Sequence, residues 1–280
     1  MKPIIGIIGS RGKMGRVMSE LLKSRDIEVL ESDIGTPLTN EELINKADIT
    51  IFSVPISNTV KLIESLAPLA KPGSLLTDLT SIKAPALRAM DKNAPASCEI
   101  LGLHPMFGPG SILNMSKQVI IVCPVRKGPL TDFILNFFRE EGAILNESTA
   151  EEHDKIMSVI QGFMHISAIA TAITLQKLGF NLDKSLQFAS PIYRLRLDMV
   201  GRILSQSPEL YAEIAIENPL NIQTLRAYQD SISLLGKYLE THDEAGFVDS
   251  FKEAADFLGA FKEEAYRRTS ELIERSKDIT

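Results

Sequence analysis

The sequence predicts an α/β protein, with a mostly parallel, doubly wound sheet followed by an all-helical domain. Three observations carry that reading. Short β-branched runs alternate with helix-period segments from Pro3 to about Asn146. A turn rich in glycine, Gly9–Gly15, follows the first run. After about Ala150 the strand runs stop, and apolar residues recur at three- and four-residue spacing almost to the end.

In chain order, the strands expected are Ile4–Ile8, Ile27–Glu31, Ile49–Val54, Ser74–Leu79, Glu99–Leu103, Val119–Cys123 and Ala143–Leu145. Several are continuous apolar runs, as expected where helices cover both faces of a sheet. Between them, Met14–Lys23, Asn58–Leu69 and Leu130–Glu140 carry apolar residues at helical spacing. The helical half is interrupted around Gly179–Asn181, Ser207-Pro208, Asn218-Pro219 and His242–Gly246. It is expected to close with one long helix, roughly Ala245 to Arg275, and a polar tail, Ser276–Thr280. This texture divides the chain into residues 1–149 and 150–280, with the boundary near Ser148–Glu152. A long amphipathic terminal helix on such a domain points to burial of its spare apolar face in a homodimer.

A chain of 280 residues, 44% of them hydrophobic, can bury a substantial core. The net charge of −6 and the absence of a Lys/Arg-rich block argue against nucleic acid or an anionic membrane surface as partner. No uninterrupted apolar run approaches the roughly 20 residues of a membrane helix, and the first residues lack a signal-peptide layout, so the cytoplasm is the expected location. The two cysteines, Cys98 and Cys123, lie in or beside expected strands without metal-ligand spacing and read as buried core residues. No metal is expected.

The run from Ile4 to Gly15 passes from a buried strand into a helix with Gly9, Gly12 and Gly15 at the turn. Glycines belong there because the backbone turns sharply, a pyrophosphate approaches main-chain N–H groups, and the helix lies close on the strand. That makes the first domain Rossmann-type, although the spacing G-x-x-G-x-x-G is one residue longer at the front than the usual fingerprint. Gly9, Ser10, Arg11, Gly12, Lys13, Met14 and Gly15 are the candidate cofactor-binding residues, together with Ser53-Val54-Pro55 after the third strand. The second strand ends in Glu31-Ser32-Asp33. A carboxylate there accepts hydrogen bonds from the adenosine ribose and repels a 2′-phosphate, which favours NAD. Glu31 is preferred over Asp33 because it sits at the strand's own end, while Arg11 is a basic residue able to meet a phosphate.

In an open parallel sheet the ligand crevice lies outside the carboxyl ends of the strands. Three polar clusters fall there: Ser53-Val54-Pro55-Ile56, Asp78–Lys83 and His104–Gly110. His104 is expected directly after a strand, held in extended backbone by Pro105, a placement suited to acid–base chemistry.

Together the glycine turn, Ser53-Val54-Pro55, Asp78–Lys83, Gly102–Gly108, Glu152-His153-Asp154 and Pro191–Arg194 through Gly201-Arg202 resemble the prephenate dehydrogenase family, in order and over nearly the whole chain. The resemblance is strongest to the dehydrogenase module of bifunctional chorismate mutase–prephenate dehydrogenases. It implies NAD-linked oxidative decarboxylation of prephenate to 4-hydroxyphenylpyruvate on the route to tyrosine, with tyrosine as a feedback inhibitor. By similarity, His104 corresponds to the catalytic histidine that accepts the hydroxyl proton, and it must be neutral to do so. Ser81 matches an active-site serine expected to orient that histidine or the hydroxyl. Lys83 has two readings, an active-site cation or a solvated charge at a helix start.

Prephenate is a dianion, and a guanidinium meets a carboxylate in a bidentate fork that lysine cannot reproduce. Arg202 matches the family's substrate-carboxylate arginine. Arg194 lies eight residues earlier with Asp198 midway, so a salt bridge to Asp198 is its competing reading. His153, Met157, Gln161 and His165 form a four-residue stripe on the expected first helix of the second domain. Similarity brings Gln161 and His165 toward substrate or regulatory tyrosine. The residues contain neither the mutase module nor the C-terminal regulatory domain found in some members. Three alternatives stand beside this reading: arogenate dehydrogenase, a β-hydroxyacid-type dehydrogenase with a catalytic lysine on the second domain, and a dinucleotide-sensing regulatory module.

Overall fold

In the computed structural model, which describes residues 2–111 and 114–276, the chain forms two compact units. The first runs to Ile160 and takes in Ala212–Pro219; the second comprises Gln161–Tyr211 and the chain from Leu220 onward.

The first unit contains β1 (Ile5–Ile8), α1 (Lys13–Ser24), β2 (Val29–Ser32), α2 (Asn40–Lys46), β3 (Ile49–Phe52), α3 (Ile56–Leu66), β4 (Leu75–Asp78), α4 (Ala84–Asn93), β5 (Glu99–Pro105), β6 (Val119–Arg126), α5 (Pro129–Glu140), β7 (Ile144–Glu147) and α6 (Ala150–Met157). The seven strands form one sheet in the order β2-β1-β3-β4-β5-β6-β7. Every neighbouring pair is parallel except β5 and β6. The reversal follows from the connection: no α-helix lies among the described residues between β5 and β6, and only parallel neighbours need a long crossover.

Strand alternation sorts the side chains between two cores. Ile5, Ile7, Ile49, Ile51, Leu101 and Leu103 face α1 and α5, whose Met18, Leu22, Ile134 and Phe138 complete one cluster. Ile8, Phe52, Leu76 and Ile100 face the other way, onto Leu43, Ile63, Leu87 and Met90 of α2, α3 and α4. Each such side chain, fully buried, contributes about 1.5–3 kcal/mol. His104 shares the alternation of Ile100 and so belongs to the α4 side. Cys98 and Cys123 are buried free thiols.

The helices α2 and α4 go beyond the sequence expectation. The first carries a capping box, Glu42 N–H to Thr39 Oγ1 at 3.2 Å and Thr39 N–H to Glu42 Oε2 at 3.1 Å, in a helix of only 7 residues. The helix expected to open the second domain, α6, packs instead with the first unit.

The second unit is helical, with α7 (Met164–Lys177), α8 (Leu182–Leu186), α9 (Pro191–Leu204), α11 (Asn221–Thr241), α12 (Glu244–Leu258) and α13 (Phe261–Ser276); α10 (Pro208–Glu217) spans both units in sequence. A π-helical segment, Ser158–Phe163, joins α6 to α7. The closing helix expected over 245–275 is two helices: Gly259, at φ +52°, ends α12 in a conformation that side-chain-bearing residues avoid. Residues 277–280 of the expected polar tail lie outside the described residues. The uninterrupted helical run Ala150–Lys177, 28 residues with a mean hydropathy of 1.6 over its most apolar window, is long and apolar enough to cross a membrane by length and composition alone. Gln161 and His165 interrupt its apolar sequence without lowering the mean below that level.

Candidate active site

β1 delivers its last residue to a turn in which Gly9 has φ +88°, and a Cβ there would lie 2.3 Å from the Ser53 carbonyl oxygen. A Cβ on Gly15 would lie 2.2 Å from the Gly9 carbonyl oxygen, and one on Gly12 at 3.2 Å from the same atom. Side chains would fill the hollow that these three glycines leave. The N-terminus of α1 has no side-chain cap and no acidic residue in its first turn, so its N–H groups suit a diphosphate. A cleft of about 750 Å³ opens beside it, lined by Gly9, Arg11, Gly12, Asp33, Ser53, Val54 and Pro55 among others. The donors and the hollow fit a dinucleotide. Of the remaining loop residues, Ser10 is buried, Lys13 is exposed at the start of α1, and Met14 packs into the core.

The acidic residue lining the cleft is Asp33, whereas the sequence reading prefers Glu31. β2 extends one residue past the expected end, to Ser32, and Glu31 turns to α1, accepting from Ser19 Oγ at 2.5 Å and pairing with Lys23 at 2.8 Å. Lys23 and Ser19 hold the Glu31 carboxyl below its ordinary range. Asp33, the first residue beyond the strand, accepts the Arg11 and Ile34 N–H groups, each at 2.7 Å. The Arg11 guanidinium donates to the Ile34 and Gly35 carbonyls, bracing the loop after β2.

His104 is the penultimate residue of β5 rather than the residue after it, because pairing with β6 carries the strand on through His104↔Ile121 and Pro105↔Ile120. It is 2% exposed. Its Nδ1 lies 2.8 Å from His153 Nε2, and His153 Nδ1 lies 2.7 Å from Asp154 Oδ1. Asp154 also accepts the Lys83 and Ala84 N–H groups at 2.8 and 2.9 Å, at the N-terminus of α4. Burial, then the nearby Lys83 charge, then His153, push the His104 pKa well below the usual histidine value. The imidazole is therefore neutral at neutral pH, as a proton acceptor must be.

Lys83 is not solvated. It is fully buried, ion-paired with Asp78 at the end of β4 and donating to the Leu103 carbonyl at 2.8 Å. Ser81, half-buried in the loop between β4 and α4, makes no side-chain hydrogen bond among the described residues. The partner at His104 Nδ1 is His153 instead.

In the second unit, Arg194 and Arg202 lie on α9 with their side chains exposed, and among the described residues neither forms an ion pair with Asp198. The polar stripe is divided: His153 and Met157 are buried in the first unit, while Gln161 and His165 belong to the second. The His165 ring packs on Tyr211 with centroids 4.3 Å apart, and burial lowers the His165 pKa. Burial raises the Tyr211 hydroxyl, against the opposing charge of Arg202. Thus Arg202, Tyr211 and His165 form one neighbourhood. Tyr211 carried no sequence signal. Among the described residues no group of three or more His, Cys, Asp or Glu side chains is placed to hold a metal.

Residues 23–147 match the family model described as the prephenate dehydrogenase nucleotide-binding domain, and residues 149–253 match the model of the prephenate dehydrogenase dimerization domain. The chain belongs to the prephenate dehydrogenase family. It is 33% identical to the T-protein of Haemophilus influenzae over 276 residues, covering 98% of this chain and 72% of that protein. It is 35% identical over 273 residues to a probable arogenate/prephenate dehydrogenase of Methanocaldococcus jannaschii, covering 91% of this chain and 61% of that one. Among solved structures, prephenate dehydrogenase from A. aeolicus in complex with hydroxyphenyl propionate and NAD+ superposes with a TM-score of 0.69 at 18% identity, covering 91% of this chain and 96% of that one. Prephenate dehydrogenase family membership makes the chain an oxidoreductase and sets aside the β-hydroxyacid-type and sensory-module readings.

Proposed function

We propose that this chain oxidises prephenate with NAD, giving 4-hydroxyphenylpyruvate and CO2. His104 carries the reading: a buried, neutral imidazole at the same carboxyl edge of the sheet as the glycine cradle. When bound, the oxidised nicotinamide supplies the hydride acceptor. His104 takes the hydroxyl proton while the C–H bond on the same ring carbon breaks. The electron pair of the ring–carboxylate bond enters the ring, CO2 leaves, and the proton returns from His104 to the oxygen as the phenol forms. No net proton is released, and aromatisation drives the reaction forward. Ser81 is assigned to the substrate hydroxyl. The experiment is product stoichiometry: NADH, CO2 and 4-hydroxyphenylpyruvate are expected to form in equal amounts from prephenate. NADH formation without CO2 would reject the reaction.

Arg202 is assigned to a substrate carboxylate, with Arg194, Gln161 and His165 as further substrate contacts. Loss of a charge-assisted hydrogen bond costs about 1.5–3 kcal/mol. Arg202→Gln is therefore expected to raise KM for prephenate roughly 10–100-fold with kcat within about threefold, checked by initial rates.

Asp33 is assigned to the adenosine ribose. Removing its charge in Asp33→Asn should raise the NADP/NAD ratio of kcat/KM by about tenfold or more, because the 2′-phosphate no longer meets a carboxylate. Glu31→Gln, whose side chain serves α1, should leave that ratio unchanged.

The second unit exposes Phe188, Leu239, Phe251 and Phe257, each more than two-thirds accessible. A homodimer burying such side chains is the proposed assembly, and light scattering should report twice the 30.9 kDa chain mass. Tyrosine is assigned as a feedback inhibitor on the resemblance alone, to be checked by adding it to the assay. The reaction is placed in the cytoplasm.

A further inference from the structure

Asp154, His153 and His104 form a continuous buried chain, 2.7 Å and then 2.8 Å between successive polar atoms. In such a chain the proton positions follow from the one member that cannot donate. An ionised Asp154 only accepts, so the hydrogen of His153 sits on Nδ1. A neutral His153 then presents a lone pair at Nε2, and the hydrogen of His104 must sit on Nδ1. That leaves His104 Nε2 as the basic nitrogen. The Asp154 charge is met independently by the Lys83 and Ala84 N–H groups at the N-terminus of α4, so His153 is not needed as a cation to balance it.

We propose that His153 and Asp154 are positioning residues that lock His104 in the Nδ1–H tautomer, aiming Nε2 at the substrate hydroxyl, and that hold the transferred proton's charge until it returns. The proposal rests on His104 being the proton acceptor. In the forward step the O–H bond breaks and an Nε2–H bond forms, with no electrons exchanged with the protein. The imidazolium so formed donates through Nδ1 to His153, whose own Nδ1–H faces the Asp154 carboxylate. Release of CO2 and aromatisation draw the proton back from Nε2 to the phenolic oxygen.

The surroundings explain why such a chain is needed. From β4 and the α4 start, Asp78 and Lys83 face the site as a closed ion pair, and Lys83 opposes a positive His104. From β6, Cys123 is a thiol that burial pushes up to about 12, so it brings no charge. From α6 come His153 and Asp154, and Asp154 is the nearest carboxylate in the chain of hydrogen bonds leading to the ring. Asn218 Nδ2 donates to the Asp154 carbonyl at 2.8 Å, fixing the backbone that carries it.

The test reads the tautomer directly in ligand-free protein. Nitrogen-15 NMR of histidine-labelled protein should show His104 protonated at Nδ1. Asp154→Ala removes the acceptor that fixes the His153 proton on Nδ1, so His104 should no longer be held as the Nδ1–H tautomer and kcat should fall about 10²–10⁴-fold with KM little changed. A second pair of variants covers failure of Asp154→Ala to fold. His153→Ala should lose the Nδ1–H tautomer and most of kcat. His153→Gln, with an amide oxygen where Nε2 lay, should restore that tautomer and recover kcat at least tenfold over His153→Ala. A purely structural role would not move the tautomer. An Nε2–H His104 in the unmodified protein, or an unchanged tautomer in Asp154→Ala and His153→Ala, overturns the proposal. A kcat close to that of the parent in His104→Asn would instead overturn the underlying reading of His104.

Discussion

His104→Asn is expected to lower kcat about 10²–10⁴-fold while leaving prephenate and NAD binding within a few-fold. Asparagine can keep the donor to His153, because its amide nitrogen falls near the position of Nδ1, but it has no basic nitrogen to offer the hydroxyl. The packing of β5 against α4 survives, so the loss is chemical. Initial rates, with cofactor affinity from fluorescence titration, separate the two. The pH profile supplies a second reading of the same residue. His104 acts neutral, and burial with Lys83 depresses its pKa below 6.5. Activity should therefore persist as pH falls through 6.5 and decline only below it. The same shift gives the unfolded chain more protons than the folded one below 6.5, so His104 also makes stability fall as pH drops through that window.

Lys83→Met is expected to destabilise the protein by about 3–5 kcal/mol, the largest stability effect among the substitutions considered. The ammonium is fully buried and neutralises an equally buried Asp78, so its removal strands a carboxylate that water cannot reach. One of the Asp78 oxygens already lacks a hydrogen-bond partner. Adding Asp78→Asn to Lys83→Met should recover a large part of the loss, since no lone charge then remains. Urea unfolding of the three proteins checks the cycle. A single variant as stable as the parent would mean that the pair contributes nothing net.

The glycine turn was legible because its constraint is local: Gly9 needs its φ of +88° whatever lies around it, and the residues that demand it are adjacent in sequence. That Asp33 rather than Glu31 lines the cleft has an equally local reason. One extra residue in β2 moves the first loop position from Ser32 to Asp33. The Thr39/Glu42 capping box was visible but marks a helix too short for periodicity to register. A glycine inside a long helix costs only about 1 kcal/mol, so Gly259 alone does not divide the periodic pattern of the last helix; its positive φ ends α12.

Long-range packing was not legible. His153 reads from sequence as one position of a helical stripe, and only the docking of α6 against α4 and β6 brings its ring onto His104, 49 residues away. Lys83 resembles any cation at a helix start until Asp78, Leu103 and α4 close around it. Arg202 could be picked out by resemblance, whereas Tyr211, packed on His165, had no periodic or motif signal to mark it.

The most direct measurement is kcat/KM for prephenate and for arogenate with NAD as the cofactor. Prephenate is expected to give the higher value, with NADH formed at a rate that His104→Asn lowers about 10²–10⁴-fold. A higher kcat/KM for arogenate would contradict the assignment of substrate.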